Sequence, residues 1–99
     1  MKIYAQPDME DVTLEAVMHA LSDPCRLKII RTLMNEEELA CNQLPTNVAK
    51  ATLSHHMDVL RNAGLISTRM QGAKGLSTVR AEEFVARFPG ILDLVKRGD

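Results

Sequence analysis

Lys50-Ala51-Thr52-Leu53-Ser54-His55-His56-Met57-Asp58-Val59-Leu60, followed by Arg61-Asn62-Ala63-Gly64-Leu65-Ile66, is the stretch whose reading decides the fold. Leu53, Met57 and Leu60 recur at i, i+4 and i+7, the spacing of one buried face of an α-helix. Lys50, Thr52, Ser54 and His55 put hydrogen-bonding groups on the remaining surface. Ala63-Gly64 ends the helix, because glycine accepts the left-handed conformation needed just past a helix C-terminus, and Leu65-Ile66 begins an extended run. One face packs and the other is free to read a partner.

Upstream, Pro45-Thr46-Asn47 breaks the chain, so the helix is predicted over 48–63. Met9, Val12, Ala16, Val17, Ala20 and Leu21 share a face and predict a first helix over 9–21. Ser22-Asp23-Pro24 supplies a cap and a first-turn proline for a second helix over 24–34, with Leu27, Ile29, Ile30, Leu33 and Met34 buried. The acidic run Glu36-Glu37-Glu38 reads as a solvated linker or a first helical turn rather than a metal site, and a short third helix is expected over 38–43. Downstream, 65–70 and 76–80 are extended runs around the five-residue turn Gln71-Gly72-Ala73-Lys74-Gly75, a hairpin. Helical spacing resumes at Glu82, and Pro89-Gly90 predicts a kinked or two-part C-terminal helix. The expected fold is mainly α with a β-hairpin wing: a winged helix-turn-helix, with 39–63 as the helix-turn-helix and 1–99 as a single DNA-binding domain.

The net charge of −1 conceals an asymmetry: residues 1–49 hold four Lys/Arg against eight Asp/Glu, 50–80 five against one, and 81–99 three against four. The basic segment contains the candidate helix, and such a patch neutralises phosphates whatever the overall balance. Two cysteines are too few for a disulfide-stapled secreted domain, no basic region precedes an apolar run at the N-terminus, and no apolar stretch approaches the ~20 residues of a membrane span. A cytoplasmic location is expected.

Three segments resemble the ArsR/SmtB-type family of small transcriptional repressors. Leu21-Ser22-Asp23-Pro24-Cys25-Arg26-Leu27 is similar to its "L-x-D-P-x-R-L" opening of the second helix, Lys50 to Leu60 to its "S-T-V-S-H-H-L-x-x-L" recognition helix, and Arg61 to Ile66 to "R-x-A-G-L-V" entering the wing. The resemblance implies a homodimeric repressor that occupies a double-stranded DNA operator and leaves it when an effector binds. Ala40-Cys41-Asn42 offers one thiol where thiophilic-metal sensors of the family carry "C-x-C", and 81–99 lacks the histidines of the family's last-helix site. Ala49 stands where the family commonly has a capping Ser, so Asn47 is the expected cap.

Lys50, Thr52, Ser54 and His55 are the expected base readers, with Arg69 and Lys74 on phosphate or in a minor groove and Arg61 on the DNA backbone. His56 borders the apolar stripe and is expected to be a hydrogen-bonded inner-face residue. Neighbouring helical positions do not converge on one ion, so the His pair predicts no metal site, and no cofactor is expected. Met9, Val12, Ala16, Phe84, Phe88, Ile91, Leu92 and Val95 are the expected dimer interface. Cys25 and Cys41 are the candidate redox residues, against the ordinary reading of small buried side chains. The competing function is a winged-helix protein–protein contact module; an enzyme is not expected, since no phosphate loop or catalytic spacing is present.

Overall fold

Asp23 accepts the Arg26 N–H on Oδ1 at 3.0 Å and Pro24 takes the first helical position, so α2 (Pro24–Asn35) begins where a capping carboxylate and a preset φ coincide. The computed structural model describes residues 4, 6–36, 38–44 and 46–98. Around α2 lie α1 (Leu14–Ala20), β1 (Leu39–Ala40), α3 (Lys50–Asn62), β2 (Ile66–Gln71), β3 (Lys74–Val79), α4 (Ala81–Arg87) and α5 (Ile91–Arg97), with 3-10 turns at Met9–Asp11 and Cys41–Gln43. This is a winged helix-turn-helix with α3 in the recognition position. Glu37 of the acidic run and Pro45 of the predicted chain break lie outside the described residues. Among those described, no helix is long and apolar enough to cross a membrane.

The predicted first helix is shorter than 9–21. Val12 and Thr13 are extended, and Thr13 accepts the Ala16 N–H at 3.2 Å as the cap of α1. Two β-branched residues in a row favour that break, and it drops the Val12 side chain into the core. The predicted third helix over 38–43 is reduced to the 3-10 helix Cys41–Gln43, and its first half is a strand. That strand is β1, paired Leu39↔Ser77 and Ala40↔Leu76 on the edge of the wing, and the 3-10 turn is steadied by Gln43 Oε1 accepting the Ala40 N–H at 2.9 Å. The sheet order is therefore β1-β3-β2.

β2 and β3 pair from Ile66↔Val79 to Gln71↔Lys74, leaving a two-residue turn at Gly72-Ala73 rather than the predicted five-residue one. Gly72 at φ 60 followed by a residue of negative φ suits a tight II′-like turn, which lets Lys74 and Gly75 join the strand. The C-terminal segment is two helices, divided at Gly90, whose φ of 93 turns the chain. Gly64, at φ 73, makes the turn from α3 into the wing, and a Cβ there would meet Val12 Cγ2 at 2.7 Å.

Ile29, Ile30 and Leu33 of α2, Met57 and Leu60 of α3, Leu65, Ile66 and Phe84 form the centre of the core. α3 packs there on α1, α2 and β2, which fixes its inner face. Most of the predicted dimer surface is part of this core. Met9, Val12, Phe84, Leu92 and Val95 are buried within their own chain, Phe84 completely, while Ala16, Phe88 and Ile91 are half-buried. The long apolar side chains left exposed on the terminal helices are Leu14 and Met18 of α1, Val85 of α4 and Leu94 of α5.

Candidate nucleic-acid interface

Met57 and Leu60 hold α3 by one face, and Lys50, Thr52, Ser54 and His55 are all exposed on its first two turns. Asn47 does not cap this helix. The residue before it is Ala49, which has no side-chain acceptor, and the helix starts two residues later than predicted. No side chain therefore caps the first N–H groups of α3, which lie beside the exposed Lys50 at the end of the helix that favours an anion.

Five basic residues lie between 50 and 80, but the structure uses them differently. Arg61 is buried rather than poised over a DNA backbone: it donates from Nη1 to Thr68 Oγ1 at 3.0 Å, pairs with Asp58, and lays its guanidinium 4.4 Å from the Tyr4 ring centroid. Thr68 Oγ1 is in turn 2.9 Å from Ser77 Oγ. This chain of polar contacts ties the end of α3 to both long wing strands. Arg80 donates to the Pro7 carbonyl at 2.8 Å and to Glu83 Oε2 at 3.0 Å. Arg69 is exposed on β2 but held by Glu38 through two bonds of 2.7 and 2.8 Å, so a phosphate must compete for it. Among the described residues Lys50 and Lys74 are exposed and make no ion pair.

His56 is an inner-face residue, as its place beside the apolar stripe predicts. Its Nδ1 lies 3.1 Å from Arg26 Nη1, and Arg26 also donates to the carbonyls of Ala20 at 2.7 Å and His19 at 3.2 Å. The Arg26 N–H, above all, holds the Asp23 carboxyl below its ordinary range against the opposing effect of burial. Asp23, Cys25 and His56 each bring a ligand atom to a spot where all three lie within 4.8 Å of one another, a grouping the sequence reading missed. The two thiols belong to different surroundings: half-buried Cys25 to this group, and exposed Cys41 to a cavity of about 180 Å³ lined also by Lys50, Leu53, Ser54, Met57 and Arg61.

A helix-turn-helix domain model matches residues 21–69, from the end of α1 to the start of the wing. An HTH-type transcriptional regulator of Bacillus subtilis (strain 168), YceK, is 37% identical over 87 residues, spanning 85% of this chain and 87% of its own. The arsenical resistance operon repressor of Staphylococcus xylosus is 34% identical over 87 residues, spanning 87% of this chain and 83% of its own. A crystal structure of an ArsR family transcriptional regulator superposes with a TM-score of 0.68 at 26% identity, over 75% of this chain and 82% of that one. The chain belongs to the ArsR/SmtB-type winged helix-turn-helix transcriptional regulators. In this ArsR/SmtB-type chain the segment before the recognition helix is a strand and a 3-10 turn, so Cys41 sits on a turn rather than on a helix face. The family is one of DNA-binding regulators and not of enzymes.

Proposed function

We propose that the whole chain, 1–99, works in the cytoplasm as a single-domain, homodimeric transcriptional repressor that reads its operator with α3. The observation that carries this is the division of α3: its inner face is locked by Met57, Leu60 and the Arg26–His56 hydrogen bond, and its outer face offers Lys50, Thr52, Ser54 and His55 on its first two turns. These groups are suited to base edges in the major groove, which displays a distinct donor and acceptor pattern for each base pair. Lys74 at the wing tip and Arg69, once released from Glu38, supply backbone contacts that position without specifying. Arg61 has no part in this surface.

A dimer built on Leu14, Met18, Val85 and Leu94 buries the long apolar side chains that the terminal helices leave exposed, with Ala16, Phe88 and Ile91 at its margin. Two-fold symmetry then sets two recognition helices about 34 Å apart, one turn of DNA. Release by an effector follows from the family. A protein-contact module without DNA binding is disfavoured by the company the chain keeps, since relatives across most of its length are named as transcriptional regulators.

Selection from a random duplex pool tests this reading. Enriched sequences carrying an inverted repeat with half-site centres about 10 base pairs apart are expected. A pool that stays random, or a single unrepeated site bound by a monomer, overturns it.

A further inference from the structure

The grouping of Asp23, Cys25 and His56 is separate from the outer face of α3 and from the wing, and nothing in the DNA-binding reading uses it. Its three members come from two elements, the cap and first turn of α2 and the inner face of α3. A carboxylate, a thiol and an imidazole are the three ligand types that borderline-soft dications such as Zn²⁺ prefer. We propose that Asp23, Cys25 and His56 form a divalent transition-metal site that clamps the start of α2 to the inner face of α3.

The geometry is near what a tetrahedral ion needs. Ligand atoms about 2.0–2.3 Å from such an ion lie roughly 3.3–3.8 Å from each other, so atoms already within 4.8 Å close on it by side-chain rotations of about an ångström. Asp23 spends Oδ1 on the Arg26 N–H and still has lone pairs to give. Cys25 is a free thiol. Asp23 and Cys25 are only half-buried, which leaves a fourth position open to water. Two anionic ligands offset the charge of the neighbouring Arg26 guanidinium.

The imidazole sets the consequence of binding. His56 Nδ1 accepts from Arg26 Nη1, so the ring's one proton is on Nε2 in the metal-free protein. An ion on Nε2 takes the other tautomer of the neutral ring, its proton moving from Nε2 to Nδ1 by exchange with solvent, so that Nδ1–H then faces a donor; an ion on Nδ1 displaces Arg26 directly. Either way the Arg26–His56 bond between α2 and α3 opens when the metal binds, while Arg26 keeps the carbonyls of Ala20 and His19. The ion thereby exchanges one α2–α3 tie for another directly beneath the DNA-facing residues. The site itself does not depend on the DNA-binding reading.

Cobalt(II) titrated into the reduced, metal-free full chain tests the proposal without DNA. A saturable thiolate-to-cobalt charge-transfer band with the intense visible bands of a tetrahedral ion is expected, reversed by Zn²⁺. Cys25→Ser should abolish the charge-transfer band, and Asp23→Asn, which preserves the cap, should weaken binding by about tenfold or more, as should His56→Gln. Cys41→Ser should change nothing. No thiolate band in the wild type, a band that survives Cys25→Ser, a band lost in Cys41→Ser, or unchanged affinity in Asp23→Asn overturns the site. Circular dichroism checks each variant, and if His56→Gln loses its helices, the Cys25 and Asp23 variants decide.

Discussion

Arg61 at the end of α3 donates to Thr68 Oγ1 on β2 at 3.0 Å, and this bond couples the recognition helix to the wing. The guanidinium is buried, so removing it leaves the Thr68–Ser77 pair without its charged partner and opens space beside Tyr4. Arg61→Ala is expected to cost about 2–4 kcal/mol, read as a lower midpoint in urea unfolding. The log–log salt slope of DNA binding should not change, because Arg61 touches no phosphate. A fall in slope with unchanged stability would restore the backbone-contact role that its sequence position suggests.

Gly64 is required on two counts. Its φ of 73 suits only glycine without strain, and a Cβ would meet Val12 Cγ2 at 2.7 Å. Gly64→Ala is expected to destabilise by about 2–4 kcal/mol, the sum of left-handed strain and overpacking. Thermal unfolding checks this, and the double variant Gly64→Ala, Val12→Ala should recover the overpacking part alone while paying for a new cavity elsewhere.

Leu94 is 67% exposed on α5 and belongs to the proposed dimer surface. Leu94→Asp should leave monomer helicity intact, since the side chain is outside the core, and should raise the dimer dissociation constant by about tenfold or more, as expected of a charge placed in an apolar contact. Sedimentation velocity over a dilution series reads it. An unchanged dimer would move the interface off α5.

Asp23 adds a pH dependence. Its carboxyl is held below the ordinary 3.8, chiefly by the Arg26 N–H, so the folded state favours the ionised form. That stability is fully present above the unfolded value and is lost as pH falls through the depressed folded one. Asn caps as well but does not ionise. The stability gap between wild type and Asp23→Asn should therefore be constant from neutral pH down to about 5 and narrow below about 4. A gap that widens with acid would contradict the capping geometry.

Long periodic segments were legible in the chain and short or tertiary features were not. α2 and α3 announce themselves by several turns of apolar spacing, and Asp23-Pro24 marks a helix start by a capping carboxylate followed by a preset φ. β1 is two residues long and carries no period of its own; it exists because Ser77 and Leu76 offer an edge to pair with. The amphipathic faces of the terminal segments say that Phe84, Leu92 and Val95 are buried, but periodicity does not say against which chain. Arg61 reads as surface charge until Thr68 and Tyr4 are folded onto it. Cys25 and His56 are separated by the rest of α2, by β1, by a 3-10 turn and by the first turns of α3, so no spacing rule joins them.

The most direct test of α3 as the reader is fluorescence anisotropy on DNA from upstream of the protein's own gene and on a scrambled duplex, across a salt series, for the wild type and for Lys50→Ala, His55→Ala. Lys74 and Arg69 from two protomers, as the backbone contacts, predict a log–log salt slope of roughly −4. Wild type should bind the native duplex at least about 10³-fold more tightly than the scrambled one, and the double variant should lose most of that preference while retaining weak, salt-sensitive binding. Equal affinity of the wild type for both duplexes, or a preference that survives the double variant, would contradict reading by α3.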